Sequence, residues 1–174
     1  MIEKCYLLDT NILGYLAVVK AGVYSTEGKA LQKRLSELKN VKVFICPVTV
    51  GEIEFGLQVA PYKDLEKQAL ARRMLGEFPH YDINIDIARE QYAKLRAKIF
   101  KECAPVTKRH RKSDKKRIEE WVDLTTSKEL QIQENDVWIS AVAMAYNMVL
   151  VTHDKMNIIK RVAGDDLTMV DWAK

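Results

Sequence analysis

Four carboxylates stand where a divalent cation could be held. Asp9 directly follows the apolar run Cys5 to Leu8, and Glu52 lies in the first turn of the helix predicted after the strand-like run Val41 to Cys46. Asp136 lies in the first turn of a predicted helix that is apolar nearly all round, and Asp154 comes two residues after the end of the apolar run Met148 to Thr152. Clustered carboxylates repel one another and destabilise a fold unless a cation compensates them. Oxygen ligands select hard ions, so Mg²⁺ or Mn²⁺ is expected, one or two per site. A pair of such ions, roughly 3.5–4 Å apart, can hold the attacking and leaving oxygens of a phosphoryl displacement and make a bound water more acidic, so no histidine base is required. For each acid taken singly the rival account is structural, because capping and the helix dipole already favour Asp at helix starts.

The four acids meet only if the elements bring them to one edge. Short apolar runs alternate with helical periodicity, which predicts an α/β fold of three layers, α/β/α, around a parallel central sheet. Cys5–Leu8, an unbroken apolar run, reads as a strand covered on both faces. Helices are expected at Asn11–Lys20, Glu27–Lys39, Thr49 to about Val59, Asp64–Phe78, Asp86–Glu102 and Glu134–Asn147, with shorter ones at Ile118–Leu124 and Met156–Val162. Strands are expected at Val41–Cys46, Met148–Thr152 and Thr168–Val170, and a linker at Thr125–Gln133. In open parallel sheets ligands bind at the carboxyl ends of the strands. Three of the acids track those ends, and Asp136 joins them if its helix starts at the same edge.

A chain of 174 residues suits a single domain, 1–174, with a substantial core. The 48% hydrophobic and 30% charged residues describe a soluble globular protein. No apolar run approaches the length of a membrane span, and the N-terminus lacks the pattern of a secretory signal, so no membrane is expected and the cytoplasm is the expected location. Cys5, Cys46 and Cys103 are odd in number, widely spaced and read as small buried hydrophobes. Net charge is +4, yet Lys108–Arg117 alone carries seven Lys/Arg against one acid, a local +6 that leaves the remainder at −2. This concentration favours local contact with a polyanion, and it sits in a segment, about 104–131, that reads as an insertion.

The ordered set Leu7-Leu8-Asp9-Thr10-Asn11, Glu52-x-x-x-Gly56, Asn135-Asp136-x-x-Ile139-x-Ala141 and Thr152-x-Asp154 resembles the motifs of PIN-domain ribonucleases, and within them the VapC-type toxins of toxin–antitoxin systems. The resemblance runs from about Ile2 to Val170. It implies a PIN-like fold and a metal-binding nuclease site at Asp9, Glu52, Asp136 and Asp154, with Asn11 beside Asp9 as a further site residue. It also implies hydrolysis of RNA, a cognate antitoxin that blocks the site, and a homodimer. Two departures stand out. Relatives pass quickly from the long helix to the Asn-Asp motif, where this chain has residues 104–131. They also often carry a second acid three residues past the Thr-x-Asp position, where this chain has Asn157.

Three alternatives remain at the level of sequence. A PIN nuclease that processes RNA without being a toxin would share every motif. A phosphohydrolase on a doubly wound sheet would use an aspartate nucleophile in an Asp-x-Asp pattern, but Asn11 stands where the second Asp belongs. A non-catalytic RNA-binding module would carry the same acids merely as caps. His80, His110 and His153 show no metal-ligand spacing, Asp165, Asp166 and Asp171 read as turn and surface acids, and Trp121, Trp138 and Trp172 read as packing groups.

Overall fold

The computed structural model describes residues 4–103 and 117–174. Strand β1 (Lys4–Leu8) leads straight into α1 (Thr10–Lys20), and α2 (Thr26–Glu37) returns the chain to β2 (Val41–Phe44). Helices α3 (Pro47–Val59) and α4 (Leu65–Leu75) follow. A π-helical stretch, Ile87–Tyr92, runs without a break into α5 (Ala93–Cys103). After a 3₁₀ turn at Ile118–Glu120 come α6 (Glu134–Ala145), β3 (Val149–Val151), α7 (Asn157–Ala163), a second 3₁₀ turn and β4 (Met169–Val170).

The four strands pair in the order β2-β1-β3-β4, all parallel. Alternation along β1 sends Leu7 to one face and Tyr6 and Leu8 to the other. Leu7 packs with Leu150 against α5, α6 and α7, including Leu95, Ile99, Ile139 and Ile159. Tyr6 and Leu8 pack with Val151 against Ile12, Leu13 and Leu16 of α1, Leu31 of α2 and Met74 of α4. Leu7 and Leu8 are fully buried, each contributing about 1.5–3 kcal/mol in apolar transfer. This is the three-layer α/β/α arrangement, with both faces of β1 covered.

Several boundaries differ from the sequence expectation. Pro47 opens α3 at its first position instead of merely ending β2, because its fixed φ suits a helix start. Glu52 therefore sits in the second turn of that helix, not the first. Ile118–Leu124 forms only a 3₁₀ turn, after which Trp121 is buried. The expected linker has structure of its own. Val122 and Glu129 form an antiparallel bridge, and the Asp123 carboxylate accepts from Thr125 N and takes both guanidinium nitrogens of Arg161. The basic run Lys108–Arg117 lies outside the described residues apart from Arg117.

Helices α1 and α2 cross at Gly28. A Cβ there would stand 2.1 Å from Val19 Cγ2 and 2.8 Å from the Tyr15 carbonyl oxygen, so only glycine lets the helices approach this closely. The crossing fixes α1, whose first turn carries the site.

Candidate metal centre

Adjacent β1 and β3 bring their carboxyl ends together, and with them Asp9 and Asp154. Asp9 is the N-cap of α1, and Thr10 N donates to its Oδ1 at 2.7 Å. Capping and site membership are therefore the same placement, not competing accounts. Asp136 occupies the third position of α6, where Gln133 N donates to Asp136 Oδ2 at 2.6 Å in a capping box. The α6 N-terminus opens at the same edge, so carboxylate oxygens of Asp9, Asp136 and Asp154 lie within 4.8 Å of one another. Glu52 lines the same cavity of about 600 Å³, together with Asn11 and, from the segment before α6, Glu119 and Glu129.

A shell of uncharged groups holds these acids in place. The Thr152 hydroxyl donates to Asp9 Oδ2 at 2.6 Å and accepts from Asp154 N at 3.0 Å, tying the two strand ends through one oxygen. Asn11 Nδ2 donates to Asp9 Oδ2 at 3.1 Å and Asp154 Oδ2 at 2.9 Å, while its Oδ1 accepts from His153 N at 3.2 Å. Glu52 accepts from the Thr10 hydroxyl on one oxygen and from Asn135 Nδ2, at 2.8 Å, on the other. Asn135 thus links α6 to α3 directly across the site.

The α6 N-terminus is itself clamped. Arg96 grips both oxygens of Glu134 at 2.7 and 3.0 Å, the Tyr92 hydroxyl donates to the same carboxylate, and Glu134 N donates to Glu119. Tyr92 also stacks on Trp138, with centroids 3.7 Å apart and planes at 7°. None of these partners is visible as a motif, because the pairs are 15 to 42 residues apart or, for Tyr92 and Trp138, further still. His153, predicted at the surface, is partly exposed and pairs through Nδ1 with Asp171 at 3.1 Å.

Burial governs the charge state. Asp9 is only 2% exposed, and desolvation, helped by Asp154 and Glu52, pushes its pKa up to about 6 against the lowering pull of Thr152 and Thr10. Desolvation pushes Asp136 higher, to about 7, with added repulsion from Asp9, Asp154 and Glu52. The two carboxyls titrate as a coupled pair, each raised by burial and by the charge of its neighbours.

Three carboxylates with oxygens this close form an all-oxygen donor set fitted to a hard divalent ion, since metal–oxygen distances of about 2.0–2.6 Å span such a gap. Asp9, Asp136 and Asp154 would hold it, with Glu52 on the adjoining wall. Among the described residues no cation pairs with any of the four.

The PIN domain family profile matches residues 6–165. Three-dimensional likeness extends over nearly the whole chain. A chain of VapBC2 from Rickettsia felis, bound to a DNA fragment from its promoter, superposes with a TM-score of 0.66 at 21% identity, covering 97% of this chain and 98% of that one. For VapBC-1 from nontypeable Haemophilus influenzae the values are 0.64 and 23%, covering 98% and 99%. For DNA-bound VapBC from Salmonella typhimurium they are 0.65 and 15%, again covering 98% and 99%. No curated protein matches the sequence.

Proposed function

The chain belongs to the PIN domain family, and from that premise we propose that it is a Mg²⁺- or Mn²⁺-dependent endoribonuclease, the toxin of a toxin–antitoxin pair. The observation that carries the reading is the convergence of Asp9, Asp136 and Asp154 within 4.8 Å at the carboxyl edge of the sheet, with Glu52 on the same cavity.

A bound divalent ion supplies Lewis-acid polarisation of a phosphodiester and a more acidic water. The protein's own contribution is to hold the donors rigidly. Asp9 and Asp154 are fixed by Thr152 and Asn11, Asp136 by the α6 capping box, and α6 by the Arg96–Glu134–Tyr92 clamp. Such outer hydrogen bonds keep each oxygen aimed at one point. Glu52, held by Thr10 and Asn135, completes the acidic wall and is positioned to orient water or a second ion. In-line attack on the scissile phosphorus, with the 3′ oxygen leaving, gives a 5′-phosphate and a 3′-hydroxyl.

The toxin assignment rests on the likeness to VapBC chains together with the motif pattern. It brings a cognate antitoxin as partner, and an acid-lined cavity suits a partner segment that presents positive charge. Phe55, Val59, Tyr62 and Leu65, from α3 to the start of α4, are exposed large apolar side chains, which favours docking of a second copy as a homodimer. Among the described residues no helix is long and apolar enough to cross a membrane, and a cytoplasmic location goes with the RNA substrate. The segment at 104–131 is proposed as a basic insertion that contacts RNA phosphates. The test is cleavage of single-stranded RNA by antitoxin-free protein, with product ends mapped. Cutting that requires Mg²⁺ or Mn²⁺ and vanishes in Asp136→Asn supports the reading; undiminished cutting in excess EDTA rejects it.

A further inference from the structure

A second cleft, of about 300 Å³, adjoins the acidic cavity, and Asp154 and the residues next to it form the wall between them. Its lining adds three lysines to two carboxylates, Asp154 and Asp171. Lys155, Lys160 and Lys174 face it, together with His153 and Asn157, over a floor of Met169 and Val170 at the edge of the sheet. Lys174 and His153 are both engaged by Asp171, at 3.3 and 3.1 Å. Lys155 and Lys160 are exposed and have no ion-pair partner among the described residues. The cleft thus presents two uncommitted cations immediately beside an exposed carboxylate of the proposed metal centre.

The backbone holds this arrangement. Met156 sits in the left-handed region at φ 40° and ψ 41°, a conformation that costs a non-glycine residue energy. Its side chain is 2% exposed, so burial in the core enforces the turn. That turn presents Lys155 between the Asp154 wall and the start of α7, and one helical turn later Lys160 reaches the same cleft.

We propose that the cleft is a phosphate subsite, in which Lys155 and Lys160 receive a backbone phosphate neighbouring the one at the acidic centre. This rests on the ribonuclease reading. A polyanionic strand entering the acidic cavity meets repulsion from Asp154 on the rim. Two lysines on the far side of that residue offset the repulsion and set the direction in which the strand leaves. Lysine is suited to this as a mobile point charge that follows a phosphate without demanding one geometry. Each contact on a single strand releases about 0.7 of a counterion.

The test is filter binding of a short unstructured single-stranded RNA in EDTA, across a salt series. It compares wild type with Lys155→Gln/Lys160→Gln and with Lys39→Gln/Lys63→Gln, which removes equal charge from exposed positions outside the cleft. The cleft variant is expected to bind roughly tenfold more weakly at low salt and to lose about 1.4 from the slope of log K against log salt. The control is expected to stay near wild type, and Lys155→Arg/Lys160→Arg to keep the slope. Equal losses in both glutamine variants, or none in the cleft variant while wild type cuts this RNA with Mg²⁺, overturn the subsite and leave the ribonuclease reading standing. Cleft-dependent binding without any cutting in Mg²⁺ or Mn²⁺ keeps the subsite and overturns the ribonuclease. Absence of both binding and cutting overturns both.

Discussion

Asp136→Asn is the most informative single change, because it separates the charge of the site from its shape. The substituted amide keeps an oxygen for Gln133 N, so the α6 cap survives. What it removes is a carboxyl whose pKa stands at about 7, some three units above its ordinary value of 3.8. A carboxyl raised in the folded state contributes stability that is fully present below its unfolded pKa and is lost as pH rises through the folded value. Wild type should therefore weaken relative to Asp136→Asn from about pH 4 to pH 8. At 1.36 kcal/mol per unit the ceiling is about 4 kcal/mol, and partial exposure together with the shared charge of Asp9 reduces it to about 2–3 kcal/mol. For a domain of this size that is about 5–10 °C in Tm. The assay is urea unfolding of both proteins in EDTA at several pH values. Groups common to both and remote from the cluster cancel in the difference. Adding Mg²⁺ at pH 8 should restore wild type, by about 2.7 kcal/mol at one hundred times Kd, and leave the variant nearly unmoved. Parallel stability curves for the two proteins across pH would refute the account of an electrostatically strained carboxylate cluster.

Asp9→Asn should abolish RNA cleavage, Glu52→Gln should be nearly as severe and Asp154→Asn milder because it sits on the exposed rim; single-turnover cleavage with Mn²⁺ measures all three. Gly28→Ala should destabilise the protein by about 2–3 kcal/mol through overpacking at the α1–α2 crossing, and Val19→Ala should rescue only part of it because the Tyr15 carbonyl remains in the way; thermal melts of the single and double variants decide this. Arg96→Met should remove the bidentate grip on Glu134, costing about 1–3 kcal/mol and raising the Mg²⁺ concentration needed for half-maximal activity. An unchanged Mg²⁺ requirement would limit that clamp to stability.

The architecture and the candidate acids were legible because both follow from one-dimensional pattern. Cys5–Leu8 and Met148–Thr152 read as buried parallel strands, whose carboxyl ends share one edge of the sheet; their adjacency and the Leu8–Val151 register, which carry Asp9 to Asp154, are findings of the structure. For Asp136 the periodicity showed only an acid in the first turn of a helix; that this helix opens at the same edge is a finding of the structure. The shell around the acids was not legible. Thr10 to Glu52, Glu52 to Asn135 and Arg96 to Glu134 are side-chain pairings across many intervening residues, and they leave no periodic trace. The Arg161–Asp123 anchor was missed for the same reason, so a pinned turn read as a linker. Pro47 misled because a proline that ends a strand and one that opens a helix look alike in sequence. The π-helical stretch at Ile87–Tyr92 was not legible because its apolar positions also fit the 3.6-residue period of the helix it runs into.

The Tyr92–Trp138 stack has an optical consequence. Trp121 and Trp172 are buried, at 6% and 7% exposure, and pack against other rings. Trp138 is partly exposed and lines a cavity of about 710 Å³ shared with Glu52, Phe55 and Asn135, two residues along α6 from Asp136. The two buried indoles supply a constant emission background, while the third borders the water that a ligand entering this cavity would displace. Occupancy of this cavity should therefore change the intrinsic fluorescence of the unlabelled protein, and Trp138→Phe should silence that change.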